Sequence, residues 1–142
     1  MNPAARKAWA GTKVVVSTER YVLVELAPGA LDRSPVGING GFSAIIHEAD
    51  TVSLIVKESA WKSKERRARA VHGPLRLVTL EAELEPELAG YLSPAAVRLA
   101  DAGIPIVPIC GATRDHLLVR DVDVDRAAAM LEGLARDCGR PA

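Results

Sequence analysis

Short apolar runs, alternating or β-branched, punctuate this chain, and they come in two matching sets. Tyr21-Val-Leu-Val-Glu-Leu26 followed by Phe42 to Glu58 is echoed by Leu75-Arg-Leu-Val-Thr-Leu80 followed by Val107 to Asp121. With Ile46 set against Ile109, the segment Leu54 to Glu58 falls on Leu117 to Asp121 without a gap. Two copies of a unit predict a pseudo-symmetric module with a seam, and seams between such units are common ligand sites.

The individual runs predict elements. Residues 1 to 11 read as a loose leader with one irregular turn. Val14-Val-Val16 and Tyr21 to Leu26, separated by Ser-Thr-Glu-Arg, predict two strands joined tightly. Pro28 to Gly41 is too rich in Pro, Gly, Asn, Asp and Ser for a long helix. Phe42 to Ala49 and Thr51 to Ser59 predict a hairpin turning near Glu48 to Asp50. Trp61 to Val71 reads as a solvated helix linking the halves. Leu75 to Ala82 is a strand, and Leu88, Leu92, Ala95, Ala96 and Leu99 recur at helical spacing over Leu88 to Ala102. Pro94 in that stretch implies a kink, or a later start with Ser93 as N-cap. Ile104 to Ile109 and His116 to Asp121 predict strands around a turn at Gly111, and Asp125 to Arg136 a final helix with Met130, Leu131 and Leu134 inward. The second half is then β-α-β-β-α and the first β-loop-β-β-α, an α+β class with antiparallel sheets and helices packed on one face.

Bulk properties narrow the function classes. The 142 residues are 49% hydrophobic and 25% charged, an ordinary globular balance. Lys plus Arg equals Asp plus Glu at 18 each, so no net charge points to nucleic acid or to a membrane surface. No apolar run is long enough to span a bilayer and the start has no hydrophobic stretch of signal-peptide length, so the expected location is the cytoplasm. Cys110 and Cys138 form no CxxC pair, and with His only at 47, 72 and 116 neither a disulfide scaffold nor a metal site is expected. No cofactor motif is present. Asn39-Gly-Gly41 lacks the following GK[ST] of a phosphate loop and reads as a tight turn. The basic run from Lys57 to Arg69 is short, with Trp61 its single aromatic residue, and reads as a solvated face.

Glu87 to Val119 resembles ACT domains, small ferredoxin-like modules that bind amino acids, and is most similar to tandem-ACT proteins related to the cytosolic arginine sensors of the TOR pathway and their small bacterial stand-alone homologues. The likeness rests on Ala100-Asp-Ala-Gly-Ile-Pro105 and Asp115-His-Leu-Leu-Val119. In the first half it rests on Tyr21 to Pro28, Gly40-Gly-Phe-Ser43 and Asp50 to Glu58. The chain departs from the family at Cys110-Gly-Ala-Thr-Arg114, where a Ser-Thr-aromatic pattern is usual. The resemblance implies two ACT-like βαββα units, at 13–71 and 72–137, and a non-enzymatic regulatory protein that senses a free amino acid. It also implies a homodimer, with an unidentified protein partner receiving the signal; the alternative is a structural or interaction module with a vestigial pocket.

A free amino acid needs donors for its carboxylate and acceptors for its ammonium. The turn Glu87-Leu-Ala-Gly90 opens a helix whose N–H groups suit a carboxylate, and Gly90 allows close backbone approach. Carried over by position, the resemblance implicates Ala89, Gly90, Gly111, Ala112 and Asp115. Asp115 then accepts from a cationic group; its ordinary alternative is a turn-capping aspartate. His116 is expected to pack. Cys110 is expected as a small buried hydrophobe that meets His116 across the hairpin, with Asp115 facing away, so no catalytic set is assigned. Glu81, Glu83, Glu85 and Glu87 read as a solvated loop.

Overall fold

The computed structural model describes residues 1–31, 41–62 and 68–139. The core of the Asn39 to Gly41 turn and of the Lys57 to Arg69 basic run, residues 32–40 and 63–67, lies outside the described residues.

The chain begins with a helix where a loose leader was expected. Helix α1 spans Pro3–Ala10, with the Asn2 side chain accepting from the Ala5 N–H at 2.8 Å and proline in the first turn. This is the arrangement that satisfies an otherwise orphaned donor and uses a residue with no N–H to give. Ala5 and Trp9, four residues apart, lie on one face and are fully buried.

Strand β1 runs unbroken over Lys13–Leu26, which corrects the two-strand reading. The polar residues at its middle are sheet positions rather than a turn. Ser17 Oγ accepts the Leu77 N–H at 3.0 Å, and the Ser17 carbonyl accepts from the Arg76 guanidinium. Strands β2 (Ala44–His47) and β3 (Val52–Lys57) form the expected hairpin, followed by the short helix α2 (Glu58–Lys62). Strand β4 covers Ala70–Glu81, beginning earlier than the alternation suggested.

Helix α3 spans Leu92–Asp101, later than Leu88. Pro94 sits in its first turn, where a missing N–H costs no intrahelical bond. Ser93 is not its N-cap: Tyr91 precedes the helix, and Ser93 Oγ donates to the Gly90 carbonyl at 3.3 Å. At the other end Gly103 (φ +69°) donates to the Ala100 carbonyl and Ile104 N–H to the Leu99 carbonyl, each at 2.9 Å, a Schellman closure that buries Leu99 with Ile104. Strands β5 (Ile106–Cys110) and β6 (Asp115–Arg120) follow, then a 3₁₀ turn at Asp121–Asp123 and helix α4 (Val124–Gly139). Buried Asp123 is held by Arg120 at 2.6 Å and Arg126 at 3.5 Å.

The strands form a six-stranded antiparallel sheet in the order β2-β3-β1-β4-β6-β5. The internal repeat is visible in its register. Ile46 pairs with Ser53 in the first hairpin and Ile109 with His116 in the second, so the gap-free sequence alignment superposes partner on partner.

Compactness groups Met1–Ser17 with Arg76–Ala142, and Thr18–Leu75 by itself. The repeat-based halves, 13–71 and 72–137, describe the sequence and stand beside this grouping as a separate description. In the first group, Val78, Leu80, Leu117 and Val119 pack with Trp9, Tyr91, Leu99, Leu131 and Leu134. In the second, Val22, Val24, Leu26, Leu54 and Val56 pack with Trp61 and Ala60. No described helix is long and apolar enough to cross a membrane.

Candidate functional site

Five residues were assigned to ligand contact from the sequence. Ala89 and Gly90 form the exposed turn just before α3; Gly111 and Ala112 lie on the exposed turn between β5 and β6; Asp115 is the half-buried first residue of β6. All belong to the compact group that contains α1.

The backbone of the first turn needs glycine, and in the second the space beside Gly111 is tight. Gly90 has φ +82°, and a Cβ there would meet Asn2 Nδ2 at 3.2 Å. That same amide donates to the Ala89 carbonyl at 2.8 Å, so one side chain caps α1 and fixes the turn. Gly111 donates its N–H to the Arg114 carbonyl at 2.9 Å, and a Cβ at that glycine would approach the same oxygen to 3.2 Å.

Tyr91 ties the turn to Asp115. Its ring stacks on Trp9 with centroids 4.9 Å apart, its carbonyl accepts from Trp9 Nε1 at 2.6 Å, and its hydroxyl lies 2.8 Å from Thr12 Oγ1. Burial pushes the Tyr91 hydroxyl up to about 12; the Thr12 hydrogen bond opposes this and repulsion from the Asp115 carboxylate adds to it. The charge of Asp115 is therefore felt at Tyr91.

Cys110 corrects two expectations. It is exposed rather than buried, because it ends an edge strand, and its cross-strand partner is Asp115 rather than His116. Although the residue is exposed, partial desolvation of the thiol raises its pKa, and a hydrogen bond with Asp115 and the repulsion of its charge raise it further. Such a thiol keeps its proton and is a poor nucleophile. His116 pairs with Ile109, and its Nδ1 lies 3.0 Å from Thr79 Oγ1. Desolvation pushes its pKa below the usual imidazole value against the pull of Asp115, and Arg114 lowers it further.

Two open clefts adjoin these turns. The larger, of about 1000 Å³, is lined on one side by Asn2, Lys7 and Gly11 and on the other by Glu83, Glu85 and Glu87, with Ala4, Ala8, Leu84 and Leu88 supplying apolar surface. The smaller, of about 510 Å³, shares Gly11 and Glu83 and continues to Thr113 and Arg114, the latter 3.7 Å from Glu81. Ala89 lines the larger cleft; Asp115 is not among the residues lining either. Among the described residues no group of three His, Cys, Asp or Glu is placed to hold a metal ion.

The architecture recurs in solved structures. A regulatory subunit of aspartate kinase from Thermus flavus superposes with a TM-score of 0.61 over 85% of this chain and 95% of its own, at 11% identity. The fold is ACT-like. A Vibrio cholerae protein of unknown function, described as a possible transport protein, superposes with a TM-score of 0.71 over 92% of this chain and 94% of its own, at 22% identity. An Agrobacterium tumefaciens protein gives 0.67 over 87% and 89%, also at 22% identity. No protein-family model matches the chain, and no curated protein matches it.

Sequence reasoning missed the contribution of the N-terminal residues to this ACT-like unit. Asn2, Lys7, Trp9 and Thr12 all bear on the Ala89 to Tyr91 turn or its cleft. A signal was available, since Asn2-Pro3 is a cap followed by a first-turn proline. What it lacked was a partner for Trp9, which only the folded chain supplies.

Proposed function

We propose that this protein is a non-enzymatic regulatory protein of ACT type that binds a free amino acid. On this reading it works in the cytoplasm as a homodimer that passes its ligand state to a protein partner. The observation that carries the reading is the ACT-like fold with a glycine-bearing turn, Ala89-Gly90, opening onto a cleft of ligand size. Structural likeness to an aspartate kinase regulatory subunit supports it, and the sequence resemblance to tandem-ACT arginine sensors is part of it.

One observation favours the alternative of an interaction module with a vestigial pocket. The Ala89 carbonyl is bonded to Asn2, so one of the five assigned residues already uses a polar group internally. A thermal-shift screen of the twenty amino acids separates the readings. A ligand at 100 times its dissociation constant adds about 2.7 kcal/mol, a shift of several degrees for a domain of this size. The expected result is stabilisation by at least one amino acid, and the response of Asp115→Ala tests whether Asp115, which lines neither cleft, contributes to it. No shift with any amino acid at millimolar concentration favours the interaction module; an equal shift in Asp115→Ala removes Asp115 from the site.

A further inference from the structure

Lys7 on α1 faces Glu83, Glu85 and Glu87 across the larger cleft, and no ion pair joins it to them or to any other described residue. The three glutamates are likewise unpaired among the described residues, although other surface carboxylates on this chain, Glu19, Glu58 and Glu132, have found cations. Opposite charges on facing walls that do not close on each other leave room for a molecule carrying both signs. A free amino acid is such a molecule, and its side chain would meet Leu84, Leu88, Ala4 and Ala8.

The walls are fixed relative to each other. Asn2 bonds the Ala89 carbonyl, and buried Trp9 stacks on Tyr91 and donates to its carbonyl, so α1 is held against the far end of the loop that carries the glutamates. Holding both walls in place before binding reduces the ordering cost of a small ligand.

We infer that Lys7 is the carboxylate-binding residue of the amino-acid site, with the glutamate wall receiving the ammonium, so that the N-terminal helix supplies half of the pocket. This rests on the amino-acid reading above and adds a location and a residue to it. Lys7 is exposed and glutamine has nearly the same helix preference, so Lys7→Gln is expected to fold as the parent does.

The test uses the full chain, the twenty amino acids, and the carboxamide of whichever amino acid stabilises the parent most, with affinities from titration calorimetry. The carboxamide keeps the ammonium and the side chain but lacks the negative charge. Expected are binding of the acid roughly ten-fold tighter than of its carboxamide in the parent, and loss of that preference in Lys7→Gln through weaker binding of the acid alone. If the acid binds Lys7→Gln as well as it binds the parent, the assignment of Lys7 is overturned while the amino-acid reading stands. If no amino acid binds the parent, both fall together.

Discussion

Tyr91 shows how one side chain can join a turn, a helix and a charge. Its ring lies on Trp9, its hydroxyl meets Thr12, and Asp115 stands close enough to oppose its ionisation. In the unfolded chain a tyrosine ionises near pH 10, whereas in the fold Tyr91 keeps its proton to about 12. The unfolded state therefore binds fewer protons between those values, so the stability Tyr91 contributes is complete below pH 10 and is lost as pH rises through the window. Tyr91→Phe is expected to lose about 1 kcal/mol at neutral pH with the Thr12 bond, and to show a shallower decline of urea-unfolding stability between pH 10 and 11.5. An unchanged alkaline decline in the variant would place the cause elsewhere.

The element that most changes the functional picture is α1. Its exposed residues include Lys7, and of its two buried residues, Ala5 and Trp9, the tryptophan joins the main apolar cluster. A large aromatic side chain with no exposed surface is expensive to remove. Trp9→Ala is expected to destabilise the protein by roughly 3–5 kcal/mol in urea unfolding. A dangling leader predicts a change within about 0.5 kcal/mol, so an effect that small would sink the integral role of the helix.

For the whole molecule the open question is assembly. The sheet has two edges, and they differ in chemistry. Strand β5 carries Pro108, which offers no N–H to a neighbour. Strand β2 reads Ala-Ile-Ile-His, without proline or fixed charge, and leaves Ile45 and Ile46 40% and 46% exposed. An unblunted apolar edge invites strand pairing. The proposed homodimer is expected in sedimentation velocity at tens of micromolar, and Ile46→Lys is expected to shift it toward monomer. A parent that sediments as a strict monomer at that concentration argues against the dimer.

Local periodicity and turn chemistry determined the two hairpins, the later helices and the repeat. Leu54 and Leu117 fall on matching registers because each hairpin's alternation has to put its apolar side chains on the covered face. Gly103 was legible as a helix terminus for the same local reason, since the closure needs a left-handed residue. Tertiary structure decided the rest. The Ser-Thr-Glu-Arg stretch in β1 has the composition of a turn, yet it is strand within a β1 that lies between β3 and β4, with Ser17 bonded to Arg76 and Leu77. Trp9 has no partner within its own helix, so its burial, and with it the placement of Lys7 over the glutamate loop, depends on Tyr91 far along the chain. A sequence specifies such contacts only through the folded whole, because their stability comes from surfaces that local propensity does not encode.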